Sequence, residues 1–192
     1  LNSRKIGKIE WERCRREAEV LLIFAVAVYA LQLQAGRHFL HEHPEGATSW
    51  RHPAVVKIRS KPGVGAVGAD MCAFGMTTST NDGGRASAKK PTRFMSSAPA
   101  ILEALSRRCR GDHEHAPLRG GSRTRDAAVY PPGLCDAIMQ GFAEQVRRDQ
   151  HGLHAVREVR CGEGRCVFAS VPVGDQHANP AGEAAAYVVS MQ

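Results

Sequence analysis

The longest hydrophobic pattern lies near the start of the chain. Residues 10–34 open with charges, contain no Gly or Pro, and become wholly apolar over residues 20–31 (VLLIFAVAVYAL) before Gly36. This predicts one helix over 10–34 that stops at Gly36. A helix apolar on every side is expected to be buried by neighbours all round. The apolar run is twelve residues long and flanked by Arg15-Arg16-Glu17 and Gln32-Leu33-Gln34. That falls short of the roughly 20 residues of a membrane span, so a core helix and no membrane are expected. A short strand follows over 37–41, ending in the loop Glu42-His43-Pro44-Glu45-Gly46. Thr48 or Ser49 can cap a short helix with Pro53 in its first turn and Val55, Val56 and Ile58 inward. A second strand is predicted over 64–70, with glycines that permit close backbone approach, and a loop over 71–75. Residues 77–88 (TTSTNDGGRASA) read as a flexible polar excursion. A third strand over 90–96 leads to a helix over 98–108 with Ile101, Leu102 and Leu105 on one face. Residues 111–124 are irregular and basic. The last clear helix spans 131–149, with Leu134, Ile138, Phe142 and Val146 as its stripe. Beyond it, 156–159 and 166–171 are placed to pair as a hairpin across 162–164.

Alternating helices and strands with short connections predict an α/β domain, a mostly parallel sheet flanked by helices. Residues 1–150 form that domain, and 151–192 a C-terminal extension with the hairpin and a frayed tail. In such sheets ligands bind at the carboxyl ends of the strands. Three segments should meet there: 41–44, 70–75 and 89–92. Glu42 is the acidic group closest to the first strand end. A carboxyl held there can bind a base edge or an amide, and a carboxyl that braces the loop fits the position too.

With 192 residues, 43% of them hydrophobic, the chain can build one sizeable core. Its formal charge of +7 favours acidic partners such as nucleic acid. A solvated basic surface explains the charge as well. Six cysteines (Cys14, Cys72, Cys109, Cys135, Cys161, Cys166) follow no secretory signal and no small disulfide pattern, which predicts a reducing compartment, nucleus or cytosol. The chain opens on Leu1-Asn2-Ser3, which reads as a fragment of a longer protein.

The segment Cys109-Arg110-Gly111-Asp112-His113-Glu114-His115 offers three zinc ligands, Cys109, His113 and His115. Structural zinc takes four, and Cys72 or Cys135 is the candidate for the fourth. A solvated loop with incidental histidines is the plainer alternative. Arg119, Arg123 and Arg125 lie in the basic loop RGGSRTR, a composition suited to phosphate contacts or simply to solubility. Cys161 and Cys166 would stay thiols in a reducing compartment. His41, His43 and His52 flank Trp50, and hydrogen bonding is their expected role ahead of metal binding or pH sensing.

Several strings together carry a resemblance. AGRHFLHEHPEGATSW (35–50), DMCAFG (70–75), KKPTRFMSS (89–97) and YPPGLCDAI (130–138) resemble the methyltransferase-like segment of Copia-type retroelement polyproteins of the dinoflagellate kind. The likeness covers roughly residues 10–142. More distantly, the chain is similar to the C-terminal half of cytosine-5 DNA methyltransferases. There a strand ends in Glu-Asn-Val, a helix follows, then a strand with an aromatic-Gly pair, then a basic strand. The resemblance implies a partial Rossmann-like, class I methyltransferase-like domain, incomplete at its N-terminus and derived from a mobile element. It implies that Glu42 faces a flipped cytosine, that Arg93 orders the catalytic loop, and that His43, Pro44, Trp50, Phe74 and Gly75 shape the pocket. S-adenosylmethionine is the cofactor implied for a complete parent. This chain has no Pro-Cys dipeptide, no glycine-rich cofactor turn, and one Arg where the family's basic strand has two. The missing N-terminal half of the domain would supply both, so the fragment is expected neither to bind the cofactor nor to methylate alone. The alternative is a non-catalytic basic module that binds nucleic acid, braced by zinc.

Overall fold

The computed structural model describes residues 7–118, 123, 126–157 and 189–190. In chain order the elements are α1 (Lys8–Gln34), β1 (Leu40–Pro44), a 3-10 turn (Thr48–Arg51), α2 (Pro53–Arg59), β2 (Gly65–Asp70) and a second 3-10 turn (Met71–Phe74). Then come β3 (Thr77–Ser79), β4 (Arg85–Ser87), β5 (Pro91–Ser96), α3 (Pro99–Leu105), α4 (Pro132–Arg157) and β6 (Val189–Ser190). The mixed helix-and-sheet class is as expected. The helix α4 runs past the boundary expected at residue 150 and through the start of the expected hairpin. The rest of that hairpin, with Cys161 and Cys166, lies outside the described residues.

The mostly parallel sheet is not what forms. The strand order is β2-β5-β1-β6, and β5 runs antiparallel to both of its neighbours. Among the described strands of this sheet, the short β1–β6 pair is the parallel one. The cause is the connection before β5. Residues 77–88 are no loose excursion: β3 and β4 pair as an antiparallel hairpin, Thr77 opposite Ser87. A hairpin needs no helical crossover, so β5 returns alongside β2 in the opposite direction. The helical connection through α2 does leave β1 and β2 pointing the same way, but β5 separates them.

That topology gathers the three expected segments. Pro44 sits opposite Thr92, and Asp70 opposite Pro91. The Glu45 N–H donates to the Pro91 carbonyl at 3.0 Å, and the Met71 N–H to the Lys90 carbonyl at 3.3 Å. The carboxyl ends of β1 and β2 and the amino end of β5 therefore share one sheet edge.

Each face of the sheet carries its own core. On one, Leu40, Phe94, Met71 and Phe74 pack with Ile101, Leu105 and Leu134 from α3 and α4. On the other, Phe39, Met95 and Trp50 pack with Tyr29 of α1 and Val55 and Ile58 of α2. A close helix crossing supports the first. A Cβ on Gly141 of α4 would lie 2.7 Å from the Ile101 Cα and 3.0 Å from the Ala100 carbonyl oxygen. Gly141→Ala should therefore cost about 1–3 kcal/mol by overpacking, read as a fall in the urea midpoint at unchanged slope.

α1 does not meet the expectation of burial all round. Of its 27 residues, Leu22, Tyr29 and Gln32 are buried, whereas Val20, Leu21, Phe24 and Leu31 are each more than 60% exposed. The sheet offers α1 a single face, so its remaining apolar surface meets no described neighbour. By length and composition α1 is the one described helix able to cross a membrane: an 18-residue window has mean hydropathy 1.5, with 17% of it buried.

Beneath α1, the Tyr29 hydroxyl lies 3.1 Å from His41 Nδ1, and His41 packs edge-on against Trp50. His41 Nε2 is buried with no hydrogen-bond partner among the described residues. Burial, helped by nearby His43, pushes His41 down to about 4 from an ordinary 6.5. The fold therefore prefers the neutral ring. Its stabilisation is complete above pH 6.5 and is lost as pH falls from 6.5 through 4, by about 3 kcal/mol in total. Urea unfolding at stepped pH should show this slope, and His41→Phe should flatten it.

Candidate metal centre

β2 ends in Asp70, which is almost fully buried and fastens the chain that follows α3. The Asp70 N–H donates to the Arg107 carbonyl, and its Oδ2 accepts from the Cys109 N–H, both at 3.0 Å. Cys72 comes two residues later, in the 3-10 turn that Gly75 closes with φ 85°. On the other side, the Ala116 N–H donates to the Ser87 carbonyl at 2.9 Å, tying His115 to the edge of the β3–β4 hairpin. Cys72, Cys109, His113 and His115 thus converge from two separate stretches of chain.

Their donor atoms all lie within 4.8 Å of one another. Cys109 Sγ is 3.7 Å from His113 Nε2 and 3.4 Å from His115 Nε2, and His115 Nε2 is 3.4 Å from Cys72 Sγ. Zinc–sulfur and zinc–nitrogen bonds of about 2.3 and 2.0–2.1 Å at tetrahedral angles give an S···N edge of about 3.6 Å. The observed edges bracket that value. A single ring nitrogen equidistant from two thiols is a poor hydrogen-bond arrangement, since one lone pair cannot serve both donors. It is the natural arrangement of ligands about a shared cation.

The surroundings support the same role. His113 Nδ1 lies 2.8 Å from Asp112 Oδ1, leaving Nε2 for the metal. A carboxylate on the far nitrogen is the usual means of orienting a ligating histidine. Gly111, with φ 75°, turns its N–H onto Cys109 Sγ at 3.3 Å. Burial first, then the contact with Cys109, pushes the Cys72 thiol up to about 11. A bound cation reverses that preference, because a coordinating thiol is deprotonated outright. Four protein donors is the number that a closed structural zinc centre takes, one with no open position for substrate.

Of the two cysteines considered for the fourth ligand, the structure brings in Cys72. Cys135 is exposed on α4. The residues expected to form one pocket around Glu42 fall on two faces of the sheet. Glu42 is 3% exposed, and its Oε2 accepts from the Tyr130 hydroxyl at 2.8 Å. Its Oε1 is buried without a hydrogen-bond partner among the described residues. His43 and Trp50 lie on the opposite face, where Arg93 stacks over the Trp50 ring at 5.4 Å and approaches Glu45 at 4.0 Å. Side chains alternate along a strand, so Glu42 cannot share a face with His41 and His43. Pro44 contributes its carbonyl to Trp50 Nε1 at 2.9 Å. Phe74 is buried in the α3–α4 core, and Gly75 follows it. His52 accepts from the Ala54 N–H as the cap of α2. Arg123 donates to Asn81 and, at 3.5 Å, to the Pro117 carbonyl, whereas Arg119 and Arg125 lie outside the described residues. Tyr130 and Asp112 escaped the sequence reading as functional groups. Both sat in strings already singled out, and for Asp112 an acidic residue beside a candidate histidine ligand was the available signal.

Set against known proteins, the chain matches no family model, no curated protein and no solved structure.

Proposed function

We propose that this chain is a zinc-braced, non-catalytic module that binds nucleic acid. The observation that carries the reading is the four-residue Cys72–Cys109–His113–His115 set, whose donor atoms all lie within 4.8 Å of one another and three of whose S···N edges, at 3.4–3.7 Å, are of tetrahedral length. Such a centre holds a loop in place and leaves no site for a reacting group. The +7 charge supplies the attraction for a polyanion. The four described cysteines, Cys14, Cys72, Cys109 and Cys135, are free thiols, which fits a nuclear or cytosolic setting. The test is duplex DNA binding across a salt series. The logarithm of the binding constant should fall linearly with that of salt, with a slope of about −0.9 per phosphate neutralised. Binding indifferent to salt contradicts the reading.

A second reading has one observation in its favour. Residues 41–44, 70–75 and 89–92 share a sheet edge, as the resemblance to the base-facing half of a cytosine methyltransferase requires. The antiparallel β5, and a Glu42 turned away from His43, Trp50 and Arg93, weigh against it. The residues that would hold S-adenosylmethionine are not in this sequence, so no step is derived through it. A longer parent protein that methylates cytosine in DNA and loses that activity with Glu42→Gln would favour this second reading. A parent that transfers no methyl group would reject it.

A further inference from the structure

Three arginines stand beside the metal ligands, on the stretch between α3 and the ligand loop. Arg107, Arg108 and Arg110 line an open cleft of about 720 Å³ that also reaches Cys109, His113 and the carboxylate of Asp112. The three do different work. Arg108 is committed to the fold: it grips Glu45 through two bonds of 2.9 and 2.6 Å and lies 3.7 Å from Asp70. Gly68 of β2 leaves it room, for a Cβ there would collide with the Arg108 guanidinium.

Arg107 is held but not consumed. Its guanidinium lies over the Phe74 ring at 5.2 Å, and its Nε donates to the Ala104 carbonyl at 3.1 Å. Its two terminal nitrogens carry no hydrogen bond among the described residues. Arg110 is exposed and makes neither a hydrogen bond nor an ion pair among the described residues. It sits between Cys109 and the Gly111 turn, within electrostatic reach of Asp112. Two guanidinium groups therefore face one cleft with donors to spare, one on each side of the ligand Cys109.

We propose that Arg107 and Arg110 form the phosphate-docking site of this domain for a nucleic-acid backbone, and that the metal centre fixes their spacing. The second clause rests on the zinc reading above; the first does not. A guanidinium presents paired donors that match phosphate oxygens. The cleft is open and its named walls are mostly polar, unlike the enclosed apolar pockets that hold small molecules. A polyanion suits the whole chain, with 26 Lys and Arg against 19 Asp and Glu. The ligand loop has no helix or strand of its own. Bonds to Asp70 and Ser87, the Arg108–Glu45 pair, the contacts of Arg107 with Phe74 and Ala104, and the four candidate ligands together set the direction of Arg107 and Arg110.

The experiment uses the full chain and a 20-base-pair DNA duplex across graded KCl, with zinc measured on every sample. Arg107→Ala/Arg110→Ala is compared with Arg15→Ala/Arg16→Ala, a control pair on exposed α1. The docking pair should make the salt slope shallower by about 2, at roughly −0.9 per lost contact. It should weaken binding at least tenfold near 0.1 M salt and leave the zinc content unchanged. The control should leave the slope within experimental error. Arg107→Lys/Arg110→Lys keeps the charge, so it should keep the slope while binding several-fold more weakly, and it guards against a misfolded alanine variant. A duplex slope unchanged in the docking pair overturns the proposal. So does a chain that ignores duplex and binds phosphatidylserine vesicles instead. If zinc is absent and the docking pair still loses slope, the docking site stands and the metal reading falls.

Discussion

Cys72→Ser and Cys109→Ser should each abolish metal binding and lower the melting temperature by about 10 °C, whereas Cys135→Ser should change neither. The reasoning starts from what holds residues 106–118. They contain no helix or strand, and they are attached by the bonds at Asp70, the Arg108–Glu45 pair, the bridge to Ser87 and the four-residue cluster. A cation that binds only the folded state stabilises it by about 4 kcal/mol when its free concentration is a thousand times its dissociation constant. For a domain of this size that corresponds to roughly 8–16 °C. Serine cannot replace a thiolate as a zinc ligand, so loss of either sulfur should reproduce the effect of a chelator. Cys135 is exposed and outside the cluster, which makes it the control. Thermal melts in zinc and in chelator check all three variants. A Cys72→Ser protein that melts with the wild type in zinc would contradict the expectation.

The second large effect concerns Glu42. Tyr130→Phe should destabilise the fold by about 3 kcal/mol, more than a lost surface hydrogen bond. Glu42 is buried and its only described partner is the Tyr130 hydroxyl, which burial, above all, keeps protonated and therefore donating. Its other oxygen is already without a hydrogen-bond partner among the described residues. Removing the phenol leaves a buried carboxyl with no hydrogen bond, a change that costs about 3 kcal/mol or more. Replacing both partners by apolar groups removes the unpaired group as well. Glu42→Leu/Tyr130→Phe should thus be more stable than Tyr130→Phe alone, giving a favourable coupling in a double-mutant cycle. A double variant that loses the sum of the two single losses would show that the pair carries no special energy. If the apolar pair is as stable as the wild type, the fold does not need Glu42, and a chemical use for it in a longer parent gains weight.

Much of the local structure was legible because its signals are local. Gly36 follows α1 as expected, and three of the four residues of the candidate metal cluster sit within seven residues of one another, whereas the cap of α2, expected at Thr48 or Ser49, is His52. The choice between Cys72 and Cys135 was not legible, because it depends on where β2 and α4 come to lie. The direction of β5 was hidden for a different reason. Its hairpin, β3–β4, is built from Thr, Ser, Ala and one Arg, whose composition signals a flexible loop. Backbone pairing and the bonds from Arg85 to the Thr77 hydroxyl hold it. The split of the expected pocket was readable in principle. Residues 41, 42 and 43 of one strand must alternate between faces, so Glu42 and His43 were never candidates for one wall. The exposure of α1 could not be read at all, since an all-apolar helix has the same pattern whether its second face is covered or bare.

The most direct measurement is zinc K-edge X-ray absorption on the purified full chain, with metal content determined on the same sample. A Cys72–Cys109–His113–His115 centre predicts one zinc per chain, with two sulfurs at about 2.3 Å and two nitrogens at about 2.0 Å. A chain that takes up no zinc, or zinc whose shell contains no sulfur, would contradict it.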